Sequence, residues 1–156
     1  MHSRCIHWWP LIPHKQQEAA LLEYRVSAHR IDSHSSKAYT KEATVVLDTD
    51  VNGRLDAFNP AELLLASVAA CMIKGIERVA PILKFAFRGV DVKLHGVRQD
   101  KPPKMIAITY ELTVDTDESD HRLDLLHENV RKFGTISNTV AEATRLEGTI
   151  KRRSSP

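Results

Sequence analysis

The stretch NPAELLLASVAACMIKGIERV, residues Asn59–Val79, constrains the fold more than any other part of the chain. Asn59 can cap free backbone N–H groups and Pro60 is tolerated in the first turn, so a helix is predicted to begin here. Residues 63–73 carry no charge, and Pro81 is expected to end the helix. An apolar helix is buried on every side, and this one is too short to cross a membrane. The sequence therefore predicts a central helix in the protein core.

This helix also predicts a second copy of the chain. A single chain of 156 residues has few elements with which to cover a helix on all sides. A second copy would supply the missing cover, so we expect a homodimer with the helix at or near its shared core.

Cys71, near the middle of the helix, is the strongest candidate for chemistry. The helix dipole gives little help so far from the helix end, so an arginine from elsewhere would have to favour the thiolate. A buried cysteine is also common as inert core filler. Both interpretations stay open on the residues alone. Glu62, in the first turn, is interpreted as a dipole residue rather than a catalytic carboxylate.

Period-2 alternation flanks the helix on both sides. Strands are predicted at 22–28, 38–41 and 44–47 before it and at 85–94, 106–114 and 146–151 after it, with helices over 123–133 and up to 143. Strands and helices are segregated along the chain, which indicates an α+β fold with antiparallel sheets around the central helix. Gly89, where the alternation changes phase, is expected to mark a bulge or a bend.

The chain is expected to form one domain, residues 20–150, between two ends. Residues 1–19 predict an irregular arm, and residues 151–156 a solvated basic tail. Acidic and basic residues are interspersed and the net charge is +2, so neither nucleic acid nor a membrane is predicted as a partner. The two cysteines, Cys5 and Cys71, are too few for a disulfide framework, and the N-terminus does not resemble a signal peptide. A reducing, cytoplasmic setting is therefore expected.

No familiar cofactor motif is found. The eight histidines lack the spacing of a metal site, and there is no phosphate loop or dinucleotide fingerprint. No metal or cofactor is therefore predicted, and the histidines are interpreted as surface or incidental residues.

Two segments resemble motifs of the OsmC/Ohr superfamily, which comprises osmotically induced proteins and organic hydroperoxide resistance proteins. Asn59–Cys71 resembles the motif of the central helix, including the spacing from the Asn-Pro pair to the cysteine. Lys132–Val140, KFGTISNTV, resembles a second motif that carries another cysteine. The order of elements from about Ala20 to Ile150 also matches.

The resemblance implies an intertwined homodimer with two active sites at the subunit interface. In active members one cysteine is attacked by an organic hydroperoxide and becomes a sulfenic acid, and the second cysteine condenses with it to a disulfide. A thiol donor then reduces the protein. An arginine favours the first thiolate, and a glutamate just after Asn-Pro holds this arginine.

The sequence keeps only part of that machinery. Cys71 stands at the position of the first cysteine, whereas Gly134 replaces the second and Ala61 replaces the glutamate. Arg30 is the best match for the arginine and Arg25 the second choice. A sulfenic acid at Cys71 would therefore have to react directly with an external thiol, with Cys5, or be oxidised further.

Three functions stay open. The first is a one-cysteine peroxidase that acts on organic hydroperoxides through Cys71 and Arg30 with an external thiol reductant. The second is a catalytically degenerate dimer that binds a small hydrophobic ligand at its interface without turnover. The third is a stress-related structural dimer without a ligand.

Overall fold

The computed structural model describes residues 21–154, so the predicted arm and Cys5 lie outside the described residues. The described part contains two three-stranded sheets and three helices, which confirms the α+β class. The strands are β1 (Ser27–Arg30), β2 (Ser35–Thr40), β3 (Ala43–Asp48), β4 (Gly89–Asp100), β5 (Pro103–Asp115) and β6 (Arg145–Arg152). The helices are α1 (Pro60–Leu83), α2 (Asp120–Phe133) and α3 (Thr135–Ala141). No helix in this part of the chain is long and apolar enough to cross a bilayer.

The central helix α1 begins as predicted and ends later than predicted. The side chain of Asn59 accepts a hydrogen bond from the Glu62 N–H at 3.0 Å, and Glu62 accepts one from the Asn59 N–H at 2.9 Å. This reciprocal capping box fixes the start of the helix. Pro81 does not end it, because the helix continues to Leu83 and is closed by Lys84 in the left-handed conformation. A proline so near the end removes only one internal hydrogen bond.

One side of α1 forms the core with the second sheet and α2. The buried residues of α1 recur at helical spacing, and they pack against the inward face of β5 and the apolar stripe of α2. These residues are Val68, Met72, Ile76 and Val79 of α1, Tyr110, Leu112 and Val114 of β5, and Leu123, Leu126 and Val130 of α2. Each fully buried aliphatic side chain among them contributes about 1.5–3 kcal/mol to folding.

The other side of α1 is left open by residues 21–154. Ala70 is exposed and Ile73 is 38% exposed, although both lie in the uncharged part of the helix. This exposure agrees with the expectation that a single chain cannot cover the helix on all sides, and cover by a second copy stays a prediction.

The second sheet has the strand order β4-β5-β6. Strands β4 and β5 form the predicted antiparallel pair, but β6 runs parallel to β5. The prediction of purely antiparallel sheets is therefore wrong, because α2 and α3 carry the chain across before β6 begins, as a parallel connection requires. Gly89 begins β4 directly after a bend at Arg88, as the second alternative predicted, and the bulge-like irregularity of this strand pair lies between Val97 and Arg98.

The first sheet, β1-β2-β3, is antiparallel throughout and projects from the rest of the chain. Its substantial contacts are among its own strands, whereas α1 packs on β4, α2 and α3. Residues 21–26 form no strand, so β1 is shorter than the predicted strand over 22–28. Strand β2 begins at Ser35, three residues before the predicted strand over 38–41, because the Asp32 carboxylate accepts hydrogen bonds from the N–H groups of His34 and Ser35 and tightens the preceding turn.

The basic C-terminal residues differ from the predicted solvated tail. Lys151 and Arg152 belong to β6, where Lys151 pairs with Glu111 at 2.8 Å and Arg152 with Asp120 at 2.6 Å. Arg153 pairs with Asp91 at the edge of the same sheet. These acidic partners attach the C-terminal end of the described chain to the second sheet.

Candidate functional site

Cys71 lies at the border between the covered and uncovered sides of α1. Its neighbour Met72 is 2% exposed and faces the core, whereas Ala70 is exposed. Cys71 itself is partly buried and carries a free thiol. It stands about 18 Å along the helix from Asn59, given a rise of 1.5 Å per residue. The helix dipole does not reach that far, so a cation would have to come from another element.

An apolar surface is exposed on the helices that pack against α1. Phe133 is 50% exposed and Ile136 is 37% exposed, one on each side of Gly134 at the α2–α3 junction. Arg78 of α1 donates to the Phe133 carbonyl oxygen at 3.4 Å, which joins this junction to the central helix. We call Ala70, Ile73, Phe133 and Ile136 the uncovered surface. The single chain thus leaves apolar side chains exposed on the elements that carry both motifs.

Gly134 leaves little spare room for a side chain. A Cβ atom at this position would lie 3.2 Å from the Ser137 side chain and from the Val130 carbonyl oxygen. Its backbone has φ −80°, which any residue adopts, so conformation does not require glycine here. A cysteine would need a shift of a few tenths of an ångström in its neighbours. Among residues 21–154, Cys71 is the only cysteine.

The structure assigns Glu62 to the helix cap, because its carboxylate accepts the Asn59 N–H. Ala61, at the position where the resemblance implies a glutamate, has no side chain with which to hold an arginine. The carboxylate partner that the resemblance implies for an arginine is therefore lacking at this position.

Arg30 ends β1 and is exposed. Within the described residues its guanidinium makes no hydrogen bond or ion pair, whereas Arg25 pairs with Glu23 at 2.7 Å. Strand β1 packs mainly on β2 and has no substantial contact with α1. The single chain therefore does not bring Arg30 to Cys71.

The register places Arg30 on a defined face of the first sheet. Arg30 lies opposite Ser36, and Ser36 lies opposite Leu47. Directly opposite residues share a face of the sheet, so Arg30 lies on the same face as Leu47 and, two residues along, Val45. Val45 is 36% exposed. This face therefore combines a cation that has no partner among residues 21–154 with incompletely covered apolar side chains.

A tyrosine–histidine pair was missed by the sequence analysis. The Tyr110 hydroxyl and His127 Nε2 are 2.8 Å apart, and the two rings meet edge to face with centroids 5.7 Å apart. His127 is partly buried, so its interpretation as a surface or incidental residue is wrong. The sequence contains a signal for this pair. Tyr110 lies at an inward-facing position of β5, and His127 follows the buried Leu123 by one helical turn. Their contact is tertiary and could not be derived from either segment alone.

Burial acts on both members of this pair. Desolvation lowers the pKa of His127, and the positive charge of Arg131 lowers it further, against the smaller opposing effects of Asp124 and Glu128. Desolvation also raises the pKa of Tyr110. Both rings are therefore held in their neutral forms near pH 7.

Metal binding has no support in this part of the chain. No group of three or more His, Cys, Asp or Glu side chains within residues 21–154 could hold a metal ion.

A family model described as OsmC-like protein matches residues 52–148. An OsmC-like protein from Mycoplasma pneumoniae superposes with a TM-score of 0.77 at 17% identity, covering 85% of this chain and 99% of that chain. An organic hydroperoxide resistance protein from Legionella pneumophila gives 0.68 at 19%, covering 85% and 99%. OhrB, the organic hydroperoxide resistance protein of Bacillus subtilis, gives 0.65 at 16%, covering 85% and 100%. No curated protein matches in sequence. At these identities the structural likeness shows the fold.

Proposed function

Since the chain belongs to the OsmC-like protein family, we propose that it is a stress-related redox protein in which Cys71 reduces organic hydroperoxides. The observation that carries this proposal is the position of Cys71. It is a free, partly buried thiol at the edge of an apolar surface, on the helix that the family model matches. A thiol deep in the core would be inert, whereas this one borders a surface that can receive an organic substrate.

The chemistry needs one protein thiol and an external reductant. The Cys71 thiolate attacks the outer oxygen of ROOH, the O–O bond breaks, and RO⁻ takes a proton to leave as an alcohol. Cys71 is then a sulfenic acid. Because Gly134 offers no second thiol, an external thiol attacks the sulfenic sulfur and water leaves. A second external thiol attacks the mixed disulfide, and the cysteine returns to its reduced form as a new disulfide departs.

The cation for this thiolate is proposed to come from a second copy of the chain. Arg30 shares a sheet face with apolar residues that its own chain leaves partly exposed. Placing this face on the uncovered surface of a partner would bury apolar area on both sides and bring Arg30 towards the partner's α1. Arg30 is preferred to Arg25 because Arg25 is already paired with Glu23. The proposed protein is therefore a homodimer whose site forms between chains.

Trapping the sulfenic acid tests the proposed function. A Cys5→Ser chain is treated with cumene hydroperoxide and dimedone, and the labelled residue is identified by mass spectrometry. The proposal expects a dimedone adduct on Cys71 and peroxide consumption that depends on added dithiothreitol. The control is Cys71→Ser in the same background, which should fold normally and consume no peroxide. Absence of an adduct on a folded chain would overturn the proposal.

Ligand binding without turnover is the second candidate, because Gly134 and Ala61 depart from the catalytic pattern that the resemblance implies. Both candidates use the apolar interface between two chains, and they differ in whether the hydroperoxide oxidises the Cys71 thiol. Cumyl alcohol resembles cumene hydroperoxide but cannot oxidise a thiol. Both candidates predict that it binds, and with the same affinity. Saturable binding of this alcohol with no oxidation of Cys71 by the hydroperoxide would favour the second candidate.

A further inference from the structure

A cleft lies between α2, α3, β5 and β6, which together with α1 and β4 we call the body of the chain. It has a volume of about 420 Å³, within the size range of small-molecule sites. Met72 and Leu146 supply apolar walls and the buried Tyr110 reaches into it. Cys71 does not line this cleft. Any ligand bound here would therefore occupy a place separate from the thiol of the proposed peroxidase.

Ser137 provides a hydroxyl group that opens onto the cleft. It is 6% exposed and lines the cleft. Its hydroxyl makes no hydrogen bond with any of residues 21–154, unlike Ser67 and Thr139, whose hydroxyls bond to carbonyl oxygens of their own helices. No fully buried side-chain polar atom among the described residues lacks a hydrogen-bond partner, so the Ser137 hydroxyl is accessible from the cleft. A ligand oxygen in the cleft can accept a hydrogen bond from it.

The charge of the lining favours an anion. Arg131 and Lys132 stand on one side of the cleft, and Glu128 is its only acidic lining residue. Within the described chain the Arg131 guanidinium makes no ion pair, so its donors are available to a ligand. His127 is hydrogen-bonded to Tyr110, which fixes one ring nitrogen inside the cleft. Apolar walls with a cation and a hydroxyl match a ligand that has an apolar body and one carboxylate.

We propose that this cleft binds an organic carboxylate, with its apolar body against Met72 and Leu146 and its carboxylate on Arg131 and Ser137. The site is independent of Cys71 and does not rest on the proposed peroxidase activity. The carboxylate accepts from the guanidinium and from the Ser137 hydroxyl, so one contact neutralises the charge and fixes the orientation of the ligand.

Calorimetric titration of the full chain with 2-naphthoate tests the proposal. The neutral analogue 2-naphthamide has the same ring system and lacks the charge. We expect naphthoate to bind saturably and at least about tenfold more tightly than the amide, since hydrogen bonds to charged groups are the stronger ones. Equal binding of the two compounds, or no binding of naphthoate at millimolar concentration, would overturn the proposal.

Three variants locate the ligand. Arg131→Gln should weaken naphthoate binding about ten- to a hundredfold, and Ser137→Ala about three- to tenfold. The matched control is Arg98→Gln, because Arg98 is also exposed but pairs with Asp100 at the distant end of β4. Its affinity should equal that of the unmodified chain. Equal losses in Arg98→Gln and Arg131→Gln would overturn the proposal.

Cys71→Ser separates this site from the proposed peroxidase site. It should bind naphthoate as tightly as the unmodified chain, whether or not Cys71 proves reactive towards hydroperoxides. Loss of naphthoate binding in Cys71→Ser would place the ligand at the thiol and would contradict the inference.

Discussion

The two sheets of this chain differ in what covers them. Strands β4–β6 pack under α1 and α2, and Ile108, Leu112 and Val114 are fully buried. In strands β1–β3, Ala38 is the only buried apolar residue, and Val45 and Val46 stay 36% and 39% exposed. The body is therefore held by its own core, whereas the first sheet lacks a cover among the described residues 21–154. The uncovered surface of α1–α3 likewise has no cover among the described residues. We therefore propose that each copy of the chain covers these surfaces of the other copy.

The largest expected effect is a loss of stability when a buried side chain in the body of the chain is shortened. Leu112→Ala should lower the free energy of unfolding by about 2–5 kcal/mol, because it leaves a cavity in a fully buried site. The comparison variant is Leu55→Ala, just after the first sheet, where the side chain is 108% exposed and the change should stay within about 0.5 kcal/mol. Urea denaturation measures both. Similar losses for the two variants would contradict the division between a packed body and an uncovered sheet.

The second effect concerns the surface that the single chain leaves open. Ile73→Glu should shift the mass in solution, measured by light scattering after gel filtration, from two chains to one. The reason is that a charge would be buried without a partner in the proposed interface. Glu77→Gln on the same helix, which removes a charge from an already exposed position, is the control and should stay dimeric. A dimer that tolerates Ile73→Glu would show that α1 is covered by something else.

A third effect compares two glycines of the second sheet. A Cβ atom at Gly148 would lie 2.3 Å from the Tyr110 carbonyl oxygen, so Gly148→Ala forces β5 and β6 apart. We expect a loss of about 1–3 kcal/mol in unfolding free energy. At Gly89 the nearest atom would be 3.8 Å away, in the flexible Arg153 side chain, so Gly89→Ala should cost much less. Equal thermal stability of the two variants would show that the Tyr110 ring and its strand can move aside.

The smallest expected effect is a pH dependence of the stability, which arises from His127 in the body of the chain. Burial lowers the pKa of His127 below its ordinary value of 6.5, so the unfolded chain takes up a proton at a higher pH than the folded chain. Stability should therefore be greatest above pH 6.5 and fall as the pH is lowered through the folded pKa. His127→Gln should lose less stability than the unmodified chain between pH 7.5 and 5.5, as measured by thermal unfolding. Parallel pH curves for both chains would mean that other groups cause the loss.

The sequence predicted best what depends on neighbouring residues. Asn59, Pro60 and Glu62 predict the start of α1 because the capping groups are local, and the alternation of β5 predicts its inward face. The prediction that Pro81 ends α1 was wrong, since one missing hydrogen bond near a helix end can be tolerated when the preceding turns are packed. Apolar and polar side chains also alternate over residues 21–26, as they do in a strand. These residues have no neighbouring strand to pair with among the described residues, so no strand forms.

The candidate site was only partly predictable for the same reason. The motif placed Cys71 on α1, and the structure confirms this location. The direction of β6, the Tyr110–His127 pair and the cleft lined by Ser137 depend on how distant segments meet, which no local pattern encodes. The predicted contact between Arg30 and Cys71 does not occur within one chain, so it stays a prediction about two chains.

The most direct measurement of this central claim uses a heterodimer of two differently tagged chains, both in a Cys5→Ser background. One carries Cys71→Ser and the other Arg30→Gln, so neither homodimer has a complete site. If Arg30 serves the partner's Cys71, the heterodimer regains one complete site of two, and its rate of dimedone labelling with cumene hydroperoxide should reach about half that of the parent dimer. A heterodimer that labels no faster than the Arg30→Gln homodimer would contradict the claim that a second copy completes the site.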